Sequence, residues 1–190
     1  MGSEGISLDD ETARSVLILD SDISPLRFGL TGVSGLPLLA LDFSPRSTGD
    51  RDRWERRLGF RPAELVVVTT ETRDPDAVGA DAIEQVTSPS DLTGLGMKAT
   101  EHLARWDDGA DAVTPVVVLN SLTILFQYAG MQAIYRFLHA LTTRIANSDG
   151  HGVFFLDPLT QDDKTVHTLA SLFDAVARRG DDGEWTVSAR

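Results

Sequence analysis

The polar residues Ser21, Ser24, Asn120, Ser121 and Asp157 have the types and positions that can support chemistry. Each lies just beyond an apolar run, at 15–19, 115–119 or 152–156. Apolar runs without polar alternation suit strands buried on both faces. In open α/β sheets, ligands bind in the crevice at the carboxyl ends of such strands. Hydroxyls, an amide and a carboxylate gathered there can hold a polar ligand, and Asp157 can act as a base. A turn or helix-capping role is simpler for Asp157, because Pro158 follows it. Ser121 lacks the G-x-S-x-G setting of an activated nucleophile.

The first run leads into Asp20-Ser21-Asp22-Ile23-Ser24-Pro25. Pro25 suits the first turn of a helix, and Ser24 its N-cap. Strand, loop and helix N-terminus is the layout of a phosphate-binding loop. Such a loop needs glycines, so that backbone N–H groups can wrap the phosphates, and a Lys to reach the terminal ones. Neither is present in 20–25, and Asp20 and Asp22 would repel a triphosphate. Gly29, Gly32 and Gly35 lack an accompanying Lys and read as a loose helix and turn. Asp20, Asp22 and Asp42 can converge on Mg²⁺ if their strand ends are adjacent. In so acidic a chain, solvated loop carboxylates are the simpler reading. His102, His139, His151 and His167 show no H-E-x-x-H or H-x-x-x-H spacing. These residues assign no catalytic group, no metal ligand set and no cofactor.

Composition narrows the function classes. The absence of Cys excludes disulfides, thiolate nucleophiles and Cys-based metal sites. The formal net charge is −12, from 29 acidic and 17 basic residues. Of the acids, 21 are Asp; Lys98 and Lys164 are the only lysines, beside 15 Arg. This balance is like that of cytosolic proteins in salt-accumulating halophiles, where self-repulsion is screened because the Debye length falls to about 3 Å at 1 M. Such a surface repels phosphate backbones, so nucleic acid is not an expected partner. No apolar run approaches the roughly 18 residues of a membrane helix, so membrane insertion is not expected. The acidic N-terminus lacks the basic and apolar regions of a secretory signal. The expected location is cytoplasmic.

These residues need a scaffold to bring them together. At 190 residues, one domain is expected over 14–190, after a flexible polar stretch at 1–13. Buried strands are expected at 15–19, 36–43, 64–70, 115–119 and 152–156, with a short edge strand around Ile83 and Val86. Helices are expected over 50–58, from Ser90 or Asp91 to Trp106, over 131–146, and from Asp162. The third carries Ile134, Phe137, Leu138, Leu141 and Ile145 on one stripe; the last faces Val166, Leu169, Leu172 and Phe173 inward. Trp54 and Trp106 are read as helix–sheet packing. The turn Gly180-Asp181-Asp182-Gly183 joins 175–178 to 185–187 as a C-terminal β-hairpin. Alternating strands and helices predict a three-layer α/β/α fold with a mostly parallel central sheet.

The order of the pieces resembles the RecA-like ATPase core, in particular its KaiC-like branch, over roughly 16–187. The phrases that carry the resemblance are Leu39-Ala40-Leu41-Asp42-Phe43-Ser44, the strand Val117-Val118-Leu119-Asn120-Ser121-Leu122-Thr123, and the closing hairpin 174–187. The resemblance implies a Walker A loop at 20–25, where Gly and Lys are missing, and a Walker B acid at 120, where Asn120 stands. Ser44 or Pro45 occupies the place of a further acidic residue. It therefore implies a degenerate, non-hydrolysing relative lacking Walker A, of a halophilic archaeal kind. Such a module is expected to act through protein–protein contacts, in signalling or regulation. The alternative is a nucleotide-binding sensor, or an ATPase completed by a partner subunit. The apolar crossing segment 122–131 offers Phe126 and Tyr128 as interface residues, for a protein partner or for self-association. Ordinary core positions are the competing reading of both aromatics.

Overall fold

A strand that is apolar at every position must be covered on both faces, so several such strands call for a sheet between two other layers. The computed structural model describes residues 5–7, 13–20, 27–29, 35–43, 51–108, 112–180 and 183–189 and has that arrangement. Its strands are β1 (Gly5–Ser7), β2 (Ser15–Leu19), β3 (Arg27–Gly29), β4 (Leu38–Asp42), β5 (Leu65–Thr69), β6 (Ala82–Gln85), β7 (Val116–Asn120), β8 (His151–Leu156), β9 (Ala175–Arg179) and β10 (Trp185–Ala189). Its helices are α1 (Arg51–Leu58), α2 (Pro75–Val78), α3 (Leu92–Asp107), α4 (Leu122–Leu125), α5 (Met131–Asn147) and α6 (Asp163–Ala170).

Eight strands form one sheet in the order β10-β9-β2-β8-β7-β4-β5-β6. Every neighbouring pair is parallel except β9 with β10, which form the C-terminal hairpin. The Val116–Asn120 strand is interior, held between β4 and β8. Successive strand residues point to opposite faces, and the burial follows that rule. Leu17, Leu39, Leu41, Val68, Leu119 and Phe154 join one core with residues of α3, α5 and α6. Val16, Ile18, Leu38, Ala40, Val118 and Phe155 join the other with Trp54, Leu58 and Phe60.

The helices follow their stripes. All five α5 positions expected to face inward are buried. Asp91 caps α3 by accepting the Gly94 N–H at 2.8 Å, and Asp162 caps α6 through the Thr165 N–H at 2.6 Å. Trp54 and Trp106 are both buried, as expected.

The region before β4 departs from expectation. Pro25 and Ser24 favour a helix start, but Arg27–Gly29 is a strand paired in parallel with Gly5–Ser7. Pairing with a distant segment outweighs local preference here. The strand also takes in Gly29, the first of the three glycines read as helix and turn. Among the described residues, no helix is long and apolar enough to cross a membrane.

Candidate functional site at the switch point between β4 and β7

The neighbours β4 and β7 send the chain in opposite directions, β4 toward β5 and β7 toward β8. Such a divergence is a topological switch point, where α/β sheets place ligands. Asp42 closes β4 and Asn120 closes β7, and the two are in register. By strand parity with Ala40 and Val118, both side chains leave the sheet on the α1 face. Asn120 donates its Nδ2–H to Asp42 Oδ1 at 3.0 Å. Asn120 is 0% exposed and Asp42 2%. Thr69, also buried, follows Val68 and so lies beside Asp42 on the next strand. The Phe43 N–H donates to the Asn120 carbonyl at 2.9 Å and extends the ladder by one step. The Asn120–Ser121 peptide is cis.

Arg57 of α1 comes to the same face. It is buried, with its guanidinium carbon 5.4 Å from the Trp54 ring centre and 5.9 Å from that of Phe155. Burial, and then Arg53, push its pKa down to about 10, while Asp42 acts to hold it up. It is therefore charged at neutral pH and is a charge partner for Asp42. Sequence reasoning missed Arg57 because its helix looked like a charged surface element. The available signal is its spacing: Arg57 follows Trp54 by three residues, which places it on the buried face. Asn120 keeps one buried acceptor, Oδ1, without a hydrogen-bond partner among the described residues.

The other expected site residues separate. Ser121 is buried at the N-cap position of α4 and makes no capping bond with its side chain. Asp157 accepts the Leu159 N–H at 2.9 Å and starts a short 3-10 turn at Pro158, the capping role. Its own N–H donates to Thr123 Oγ1 at 2.9 Å, which ties the β8 end to the segment after β7. Ser21, Ser24 and Asp22 lie outside the described residues. Asp20 and Asp42 sit on strands with β8 and β7 between them, three strand spacings or roughly 14 Å apart. Those two strand ends are not adjacent, so the convergence on Mg²⁺ that adjacency would allow is not formed by this pair. Nor is Asp42 a solvated loop carboxylate.

His102 is a satisfied core histidine. Its Nε2 lies 2.6 Å from Glu84 Oε1 and its Nδ1 3.2 Å from Arg105 Nη2. Burial acts to raise the Glu84 carboxyl, but hydrogen bonds from Lys98 and His102 outweigh it and hold the pKa below the ordinary value. Among the described residues, no group of three His, Cys, Asp or Glu is placed to hold a metal.

Two cavities open along α5, on the opposite face of the sheet from Asp42 and Asn120. One of about 840 Å³ lies between α3 and α5, against Leu92, Gly96, Met97, Phe137, Glu101 and Arg136. Met97 there is 69% exposed. The other, about 440 Å³, lies against Met131, Tyr135, Arg136 and Thr168. The two interface candidates part company: Phe126 packs partly buried against the α5 core, and Tyr128 is 55% exposed.

A family model described as a family of unknown function (DUF7504) matches residues 38–178. No curated protein matches the chain. Two solved structures from Pyrococcus horikoshii share the fold. PH0250 from strain OT3 aligns at 10% identity with a TM-score of 0.54, over 93% of this chain and 85% of that one. PH0321, an uncharacterized protein in complex with an unknown peptide, aligns at 10% identity and a TM-score of 0.54, over 93% of this chain and 83% of that one.

Proposed function

The chain belongs to the family of unknown function DUF7504, and we propose that it is a non-catalytic, RecA/KaiC-like module acting through protein–protein contacts in signalling or regulation. The observation that carries this reading is the buried hydrogen bond from Asn120 to Asp42. In phosphate-loop enzymes, Lys and backbone amides hold the terminal phosphates and an acidic residue helps hold Mg²⁺. Here a neutral amide stands at the end of the central strand and is spent on its neighbour. No Lys precedes Lys98 in the chain. Phosphoryl transfer relies on positioning and charge stabilisation, and this row supplies little of either.

The groove between α3 and α5 supports contact with a partner. Its lining is largely apolar, Met97 projects from it, and Arg136 offers one cation. It suits an apolar partner segment that carries a carboxylate toward Arg136. The peptide bound to PH0321, a protein of similar fold, supports peptide contact as a use of this architecture. The Asp-rich composition supports a cytoplasm of concentrated salt as the setting.

Isothermal titration with ATP, ADP and Mg²⁺ in molar KCl, alongside a turnover assay, tests the reading. The expected result is neither binding heat nor phosphate release. Robust hydrolysis by the isolated chain overturns it. One observation favours the second reading, a nucleotide sensor or an ATPase completed by a partner subunit: the buried Asn120 Oδ1 has no partner among the described residues. Binding heat without turnover would select that reading.

A further inference from the structure

β10 ends the eight-stranded sheet and, among the described residues, pairs with β9 alone. Its residues are Trp185, Thr186, Val187, Ser188 and Ala189, with no charge, no Pro and no Gly. Trp, Thr and Val are strong strand formers. Edge strands are normally protected by Lys, Pro, bulges or inward charges, and this one has none of those residues.

The hairpin fixes which backbone groups face outward. The Gly180 N–H donates to the Glu184 carbonyl at 2.8 Å, so these two form a hydrogen-bonded pair. Such pairs alternate along an antiparallel ladder. Thr186 with Arg178 and Ser188 with Val176 are therefore the next bonded pairs. Trp185, Val187 and Ala189 turn their N–H and C=O groups away from β9.

We propose that β10 is a self-association edge, at which two copies of the chain join their sheets by antiparallel pairing about Val187. A twofold axis there sets Val187 against Val187 of the second copy, Trp185 against Ala189, and Thr186 against Ser188. Thr186 opposite Ser188 is a favourable hydroxyl pair across the strands, while the largest side chain lies opposite the smallest and the β-branched residue meets itself. The outward groups of the three residues supply about six hydrogen bonds across the axis. This match of side chains along the register is why a second copy, rather than an unrelated extended peptide, is the fitting occupant. Charge permits it as well. Among the described residues, the nearest cations, Arg178 and Arg179, lie on β9, so two strands without charge at 185–189 separate them from their counterparts by roughly 14 Å. The net charge of −12 on each copy opposes association and is screened by salt. The proposal rests on the sheet edge and stands whether or not the strand-end row binds nucleotide.

Sedimentation in about 1 M KCl, from micromolar to millimolar protein, is the first test. The mass should rise from 20.6 kDa toward twice that value. Val187→Pro removes one outward N–H and leaves the β9 ladder intact, because Pro is tolerated on an edge when its nitrogen faces away. Val187→Lys charges the same edge. Each should weaken dimerisation at least tenfold without changing circular dichroism or, at protein concentrations low enough for the wild type to be monomeric, the unfolding midpoint. A second test reads the register and does not depend on those variants. The chain has no Cys, so Val187→Cys introduces a single thiol, which would lie about 5.5 Å from its copy between Cα atoms, within disulfide reach. Mild oxidation should cross-link Val187→Cys and leave Thr186→Cys, which faces Ser188, unlinked. A wild type that stays at 20.6 kDa throughout, variants that dimerise like the wild type, or equal cross-linking at both positions overturns the proposal.

Discussion

Asn120 and Asp42 are 78 residues apart in the chain and share one buried hydrogen bond of 3.0 Å, amide to carboxylate, across two adjacent strand ends. Restoring an acid at this position has a calculable consequence. Asn120→Asp sets two buried carboxylates against each other, and like charges at that range cannot both ionise freely. Arg57 offsets part of the repulsion. The expected loss at pH 7 is about 3 kcal/mol, or roughly 6 to 12 °C in Tm for a domain of this size. One carboxylate of the pair takes a raised pKa, so the penalty should shrink as the pH falls and the two share a proton. Hydrolysis of ATP should still be absent, since the phosphate cradle is not restored. Thermal unfolding at pH 7 and pH 5 checks this; a variant as stable as the wild type at pH 7 contradicts the buried pairing.

Acid should destabilise the fold in two stages. Burial, and then Arg14, lower the His151 pKa below 6.5, and its Nδ1 has no hydrogen-bond partner among the described residues. Asp149 lies close by, ion-paired to Arg14 at 3.1 Å. The unfolded chain binds this proton more readily than the folded one. Stability is therefore complete above pH 6.5 and declines as the pH falls below it. Glu64 and Glu84 act lower. Burial acts to raise both, but hydrogen bonds from Arg105 and Trp106, and from Lys98 and His102, bring each below 4.5. Their contribution is present above 4.5 and is lost as the pH falls through the lower folded values. Urea unfolding from pH 8 to pH 3 should show both stages. His151→Gln should flatten the upper stage and leave the lower one.

Salt should stabilise the protein. Carboxylate repulsion is unscreened in dilute buffer, and the Debye length falls to about 3 Å at 1 M. Thermal unfolding followed from dilute buffer to about 3 M KCl should show a rising midpoint. A flat or falling one contradicts the halophile reading.

The central strands were legible because the covering layers demand apolar residues along their length, as at 38–41 and 116–119, before the polar residues that close them. The α5 stripe was legible for the same reason. The pairing of β1 with β3 was not, because Gly5–Ser7 is three residues long and carries no apolar pattern. Asp42 and Asn120 could each be singled out by type and place. Their contact could not, because strand order is a long-range property that neither segment encodes alone. Arg57 looked like surface because a charged residue is buried only when its surroundings compensate it, here Trp54, Phe155 and Asp42. Those groups come from three different elements.

The opposite end of the sheet has a different character. β6 is four residues long, and its Glu84 is drawn toward α3 by Lys98 and His102. Gln85 turns back to donate to the Thr70 carbonyl at 3.3 Å. Shortness and an inward charge are the features that stop a strand from recruiting another. Among the described residues, growth by strand addition is thus open at β10 and closed at β6. If β10 pairs as proposed, such a sheet would make a pair and then stop, whereas one open at both ends would run on into a fibre.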